Sequence, residues 1–167
     1  MLLGAHMSIA GGLHRAVERA ESVGCESLQV FLKNSNQWRA RALTEEEVAR
    51  FREAWRASGV RRVIAHNAYL INLCSPDAAT AHQSFDAMLD ELSRATALGI
   101  EGVVMHPGAH KGAGEAHGMA CIAEAVNELI ARTPASKVQD ARSVLEAALL
   151  RDSIAFAEKP GLSLRQD

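Results

Sequence analysis

The sequence predicts an α/β fold of four strand–helix units in the order βαβαβαβα. Short apolar runs bounded by turn residues are typical of buried parallel strands. An amphipathic helical pattern follows each run. Two of the runs, residues 63–66 and 103–106, both end in histidine and lead into a loop. This order fits half of an eight-stranded barrel, a fold that normally needs about 250 residues, or a small open doubly wound sheet.

The first two units are bounded by glycine and by a helix cap. An apolar run at residues 2–6 predicts the first strand, and the helix after it is expected to end near Gly24. Residues 28–33 predict the second strand. Thr44 and Glu47 then have the spacing of a capping box, which predicts the start of the second helix.

The last two units follow the same plan. After the third strand, which ends at His66, Asp77 is the expected N-cap of a long helix that stops at Gly99. Residues 100–105 predict the fourth strand, and residues 119–130 show helical spacing of apolar side chains.

The pattern changes beyond residue 134. We therefore predict one folded unit at residues 1–134 and a divergent tail at residues 135–167, with a helix around 138–149 and then a loose C-terminus. No convincing fifth parallel strand follows in the sequence.

Composition indicates one compact domain, because 48% of the 167 residues are hydrophobic and 23% are charged. A net charge of −2 neither supports nor excludes nucleic-acid binding, which would have to use a local basic strip. Three widely spaced cysteines do not form a secreted disulfide framework. No window approaches about 18 consecutive apolar residues. We therefore expect a cytoplasmic protein without a membrane segment.

Three histidines are expected at one rim of the sheet. Parallel strands finish on the same side, where α/β proteins bind ligands, so His66 and His106 at strand ends point to that side. His6 closes the first apolar run in the same way. A single strand-end histidine is more often a hydrogen-bonded core residue, but three in register favour a metal site, and imidazole suits zinc.

Four separate segments carry a resemblance to a known family. They are residues 4–12 (GAHMSIAGG), 34–39 (NSNQWR), 66–73 (HNAYLINL) and 106–110 (HPGAH). In this order they resemble the endonuclease IV family, over residues 3–134 and over the N-terminal half of that family. The resemblance implies a TIM-barrel (β/α)8 fold, of which this chain has about four units, a half barrel.

The resemblance also implies a function in base-excision repair. Family members are zinc-dependent hydrolases that use three zinc ions to cut damaged double-stranded DNA on the 5′ side of abasic sites. By the matching motifs, His66 and His106 correspond to zinc ligands, and His6 and His110 are expected to support them by hydrogen bonds.

The zinc site is expected to be incomplete. The glutamate motif of the family's next strand does not follow in this sequence, and Glu146 is a poor substitute. A frameshift, a truncation or a fused tail would each produce this difference. The rival interpretation is therefore a non-catalytic half barrel that at most binds DNA or a metal weakly. A third interpretation is a related metal-dependent sugar isomerase, but the segments at residues 34–39 and 69–73 favour the nuclease.

Two loops are expected to face DNA. Tyr69 and Leu70 follow a ligand histidine and are suited to wedge into a base stack, although by spacing alone Leu70 would cover the barrel top. The other loop carries Asn36, Gln37, Trp38 and Arg39, with Lys33 and Arg41 available for phosphates. The alternative for this loop is a solvated segment in which Trp38 covers the core. Asn36 stands where family members can carry an arginine.

An open half barrel leaves its first and fourth strands with unpaired edges, which proteins usually cover or pair. We therefore expect self-association through these edges, or poor solubility.

Overall fold

Four strands and four helices alternate along residues 1–133, the part of the chain that the computed structural model describes. The elements are β1 (Gly4–His6), α1 (Leu13–Ser22), β2 (Ser27–Phe31), α2 (Glu45–Ala57), β3 (Arg62–His66), α3 (Ala78–Leu98), β4 (Val103–Val104) and α4 (Glu115–Arg132). The predicted order of four strand–helix units is confirmed. The predicted tail at residues 135–167 lies outside the described residues.

The strands form one parallel sheet in the order β1-β2-β3-β4. Each strand therefore pairs with the next one along the chain, as in a barrel, whereas a doubly wound sheet reverses direction at a switch point. The register places His6 opposite Gln29, and Phe31 opposite His66. The half-barrel prediction is confirmed, and the doubly wound alternative is wrong.

The helices cover one face of this sheet. Right-handed crossovers between consecutive parallel strands place every helix on the same side, and each helix contacts the next along the chain. Leu28, Val30, Val63 and Ala65 face the helices and are at most 1% exposed. The alternate residues of β2 and β3 are half-buried, except for the exposed Arg62, and face the opposite side, where the interior of a complete barrel would lie.

Caps fix the starts of two helices as the sequence predicts. At α2 the Thr44 hydroxyl accepts the Glu47 N–H at 3.2 Å, and the Glu47 carboxylate accepts the Thr44 N–H at 2.9 Å. Arg41 also bonds to this carboxylate and, with the Thr44 N–H, lowers the pKa of Glu47 to about 2. At α3 the Asp77 carboxylate accepts the Thr80 N–H at 2.8 Å.

The fourth strand is shorter than predicted. It spans only Val103–Val104, whereas the apolar run suggested residues 100–105. Ile100 instead takes part in the C-terminal cap of α3: Gly99 adopts a left-handed conformation, and the Ile100 N–H bonds to the Ala95 carbonyl at 2.9 Å. The apolar character of Ile100 therefore serves helix packing and not strand pairing.

Candidate functional site

Five rings meet at the carboxyl ends of the strands. His6, Phe31 and His66 are the last residues of β1, β2 and β3, His106 follows β4, and Tyr69 lies in the loop after β3. Ring centroids are 4.5 Å apart for His6 and Phe31, 5.5 Å for Phe31 and His66, and 5.8 Å for His66 and Tyr69. We call these five residues the rim cluster. The three strand-end histidines predicted from sequence thus lie in one place.

His66 and His106 are spaced as two ligands of one metal ion would be. Their ring centroids lie 5.1 Å apart. Two imidazoles on a tetrahedral zinc ion, with Zn–N distances of about 2.0–2.1 Å, have centroids about 5 Å apart. His66 Nδ1 lies 2.8 Å from the Asn67 carbonyl oxygen, which only accepts, so in the neutral imidazole Nδ1 carries the proton and Nε2 the lone pair. These two residues fit the zinc chemistry.

His6 and His110 take different positions around this pair. The His6 ring centroid is 6.2 Å from that of His66, and its Nδ1 lies 3.0 Å from the Gln29 side-chain oxygen. The His110 Nδ1 accepts the N–H groups of Gly112 and Gly114 at 3.2 and 3.1 Å. His6 therefore belongs to the rim cluster, whereas the His110 ring organises the loop that leads into α4.

No third ligand completes the pair within residues 1–133, where no group of three or more His, Cys, Asp or Glu side chains is arranged to hold a metal ion. Cys74 is the nearest thiol along the chain to the Tyr69 loop, and it is 3% exposed. Burial raises the pKa of the Cys74 thiol, which disfavours the thiolate form that binds metals.

Tyr69 and Leu70 differ in how far they reach solvent. Tyr69 is 62% exposed, although its ring centroid lies 5.2 Å from Phe31 and 6.4 Å from His106. Leu70 is half-buried, and the next residue, Ile71, is buried. A largely exposed aromatic ring therefore lies beside the candidate metal ligands, and the half-buried Leu70 follows it in the chain.

Phe31 and Asn72 are site residues that sequence reasoning missed. Phe31 touches three rings of the rim cluster, and its strand-end position opposite His66 was the available signal. Asn72 joins the loops after β3 and β4, because its side chain donates to the Ala109 carbonyl at 2.9 Å and accepts the Ala109 N–H at 3.0 Å. Gly108 permits this approach, since a Cβ there would lie 2.2 Å from the Asn72 oxygen.

The loop after β2 carries the other four residues that the sequence predicts to face DNA. Asn36, Gln37 and Arg39 are exposed, and Trp38 is half-buried against the core. Among residues 1–133 no hydrogen bond or ring contact joins these four side chains to the rim cluster. Asn36, Gln37 and Arg39 thus form an exposed polar surface on this loop, and Trp38 packs against the core.

The expectation that Lys33 reaches phosphates is wrong. Its side chain is 1% exposed, and its Nζ donates to the Glu91 carboxylate at 2.7 Å. Arg41 is exposed but pairs with Glu47. The sequence gives no sign of this, because a lysine at the end of the predicted strand fits a solvated position equally well, and only the position of α3 buries it.

Helix α3 anchors both loops. Arg94 donates to the carbonyls of Ala40 and Arg41 in the loop after β2, at 3.2 and 2.6 Å. Glu91 accepts the Ala68 N–H at 3.2 Å, and the Ser84 hydroxyl accepts the Asn72 N–H at 2.9 Å, both from the loop after β3. The two candidate DNA-facing loops are thus held by one helix.

Comparison with known proteins places this architecture in a family. Residues 17–147 match the xylose isomerase-like TIM-barrel family. The chain belongs to that family. Its sequence is 54% identical over 132 residues to the probable endonuclease 4 of Geobacter sulfurreducens. The aligned region covers 79% of this chain and 45% of that protein. The predicted resemblance to endonuclease IV is confirmed.

Solved structures agree with this assignment. The crystal structure of endonuclease IV from Thermus thermophilus matches with a TM-score of 0.69 and 34% identity, over 78% of this chain and 46% of that one. A D-psicose 3-epimerase matches with a TM-score of 0.58 at 18% identity, over 78% and 47% of the two chains. The second likeness shows the shared fold alone. The chain spans less than half the length of these relatives.

Within residues 1–133 no helix is both long and apolar enough to cross a membrane.

Proposed function

We propose that this chain contributes the first half of an endonuclease IV-like DNA repair site, which hydrolyses a phosphodiester on the 5′ side of an abasic site with the help of zinc. The observation that carries the proposal is that the ring centroids of His66 and His106 lie 5.1 Å apart, beside the exposed ring of Tyr69. Similarity to proteins named endonuclease 4 supports it.

The two histidines would hold zinc through one nitrogen each. Bound zinc supplies a nucleophilic hydroxide near neutral pH and stabilises the charge that develops on the phosphate. For His66 the free nitrogen is Nε2, because Nδ1 donates to the Asn67 carbonyl. A catalytic zinc normally has about three protein ligands. The remaining ligands would therefore have to come from outside residues 1–133.

Tyr69 and Leu70 would act on the DNA itself. The exposed Tyr69 ring offers a stacking face next to the ligand pair, and stacking of a base on an aromatic side chain contributes about 1–3 kcal/mol. An abasic site lacks the base that would resist such insertion, so the damaged position is the least costly to open. Asn36, Gln37, Trp38 and Arg39 would contact the sugar–phosphate backbone beside it.

A cleavage assay tests the proposal. A duplex with one abasic site is incubated with the purified chain and zinc, with a chelator as one control. The double variant His66→Ala/His106→Ala removes the ligand pair, and His82→Ala/His117→Ala is the matched control because both of those histidines are exposed on helices. Zinc affinity is measured on the same proteins by competition with a chromophoric chelator. We expect zinc affinity to fall by at least about 10-fold in His66→Ala/His106→Ala and to stay unchanged in the control variant.

A second candidate function is a non-catalytic half barrel that binds DNA or a metal weakly. The absence of a third ligand within residues 1–133 favours it. Chelator-sensitive incision that disappears with the ligand pair would decide for the enzyme. Zinc and DNA binding without incision would decide for the binding protein. Zinc affinity unchanged by the loss of both His66 and His106 would contradict zinc binding at this pair, for the enzyme and for a metal-binding half barrel alike.

A further inference from the structure

A buried carboxylate lies directly behind the candidate metal ligand. Glu91 of α3 is 1% exposed, and its Oε1 accepts two hydrogen bonds, one from the Lys33 ammonium at 2.7 Å and one from the Ala68 N–H at 3.2 Å. Ala68 lies two residues beyond His66, in the turn that leads to Tyr69.

The Ala68 N–H belongs to the same peptide group as the Asn67 carbonyl. That carbonyl oxygen accepts the hydrogen bond of His66 Nδ1 at 2.8 Å. One rigid planar unit therefore bonds to the Glu91 carboxylate at its N–H end and to the His66 imidazole at its C=O end. A negative acceptor on the N–H polarises the peptide and makes its oxygen a better acceptor.

We propose that Glu91, held by Lys33, is a positioning residue for His66: it orients the Asn67–Ala68 peptide, which fixes the imidazole ring and keeps its proton on Nδ1. Nε2 is thereby presented to the rim as a ligand. This inference rests on the proposed function, because it treats His66 as the residue that meets the metal. Carboxylates that bond directly to a ligating histidine have this effect in metal sites, and here a peptide group stands between the two.

The cost of burying these groups supports a specific role. Glu91 Oε2 and both polar atoms of the Asn67 side chain are buried with no hydrogen-bond partner among the described residues. An apolar pair of similar size at positions 33 and 91 would avoid the desolvation of two charges. What such a pair would not provide is an acceptor for the Ala68 N–H.

Two double variants separate the acceptor from the charge. Lys33→Met/Glu91→Gln and Lys33→Met/Glu91→Leu both remove the ion pair without leaving a lone buried charge, but only glutamine keeps an oxygen for the Ala68 N–H. Ser84→Ala is the matched control, because it deletes a different hydrogen bond from α3 to the same loop. The readouts, in the metal-free full chain, are the imidazole ¹⁵N shifts of His66 and the hydrogen-exchange rate of the Ala68 amide.

We expect the unmodified chain, the glutamine variant and Ser84→Ala to keep the proton of His66 on Nδ1. The leucine variant should lose this preference and exchange the Ala68 amide about 10-fold faster or more. Its zinc affinity should fall about 10-fold, while the glutamine variant stays close to the unmodified chain.

Two results would overturn the inference. One is that the neutral His66 ring of the unmodified chain carries its proton on Nε2; this test needs no variant, so it stands even if the leucine variant does not fold. The other is that the leucine variant folds, keeps the proton of His66 on Nδ1 and exchanges its Ala68 amide at the rate of the unmodified chain. Failure of the proposed function has a separate readout. If zinc is added to the unmodified chain and the imidazole signals of His66 and His106 do not change, these residues do not bind it.

Discussion

The buried pair of Lys33 and Glu91 should be one of the most sensitive points of the fold. Both side chains are 1% exposed and their charged atoms lie 2.7 Å apart. Lys33→Met leaves the Glu91 carboxylate buried with the Ala68 N–H as its remaining donor, and Glu91→Leu leaves the Lys33 ammonium buried with Asp90 at 3.8 Å. Either single change therefore strands one charge in the core.

The expected magnitude follows from that burial. Removing one partner of a buried ion pair costs about 3–5 kcal/mol of unfolding free energy, out of a total of about 5–15 kcal/mol for a domain. Replacing both partners by apolar groups should by itself leave the unfolding free energy about unchanged or raise it. The Ala68 N–H, left without its acceptor, lowers it by about 1–3 kcal/mol. The double variant Lys33→Met/Glu91→Leu should thus be more stable than either single variant, with a coupling energy of at least about 3 kcal/mol.

Urea unfolding followed by far-ultraviolet circular dichroism measures this cycle. With a slope of about 1–3 kcal/mol per molar urea, each single variant should lower the midpoint by about 2 M. The exposed pair of Glu46 and Arg50, with side chains 72% and 60% exposed, is the control and should contribute less than about 0.5 kcal/mol. Single variants at Lys33 and Glu91 that cost under about 1 kcal/mol, with no coupling, would refute the reasoning.

Other regions give further expectations. Thr44→Ala removes the cap of α2 and should lower the unfolding free energy by about 1 kcal/mol in the same urea assay, with Thr44→Ser close to the unmodified chain. The pKa of Glu47 is lowered from 4.5 to about 2. Its contribution to the unfolding free energy should therefore be fully present above about pH 4.5 and be lost as the pH falls towards 2. A Glu47→Gln variant that loses stability in acid as much as the unmodified chain does would contradict this. Tyr69→Ala should weaken binding of an abasic duplex about 10-fold in a fluorescence anisotropy titration, whereas Tyr69→Phe retains the stacking face and the affinity. Self-association through the edges of β1 and β4 predicts a concentration-dependent dimer in sedimentation velocity, and a monodisperse monomer would refute it.

Much of the candidate site was predictable from strand ends. His6, His66 and His106 close apolar runs, and parallel strands finish at one edge, so the histidines had to meet. Tyr69 was predictable as their neighbour because it follows His66 by three residues. The capping residues Thr44 and Asp77 were equally local, since a cap depends on the hydrogen bonds of one helical turn.

Contacts between distant segments were not predictable. Lys33 and Glu91 are 58 residues apart, and nothing in the sequence around Lys33 distinguishes a buried ammonium from a solvated one. Asn72 meets Ala109 only because the loops after β3 and β4 lie side by side. The short β4 was missed for a similar reason, because the apolar Ile100 packs at the end of α3.

For residues 1–133, the sequence by itself determined the number and type of the elements, the helix caps and the strand-end histidines, because these depend on side-chain periodicity and on hydrogen bonds within a few residues. Only the tertiary structure decided the strand order β1-β2-β3-β4 over a doubly wound sheet, the 5.1 Å spacing of His66 and His106, and the burial of Lys33 against Glu91. These features depend on which elements become neighbours, and the same apolar periodicity is compatible with either strand order.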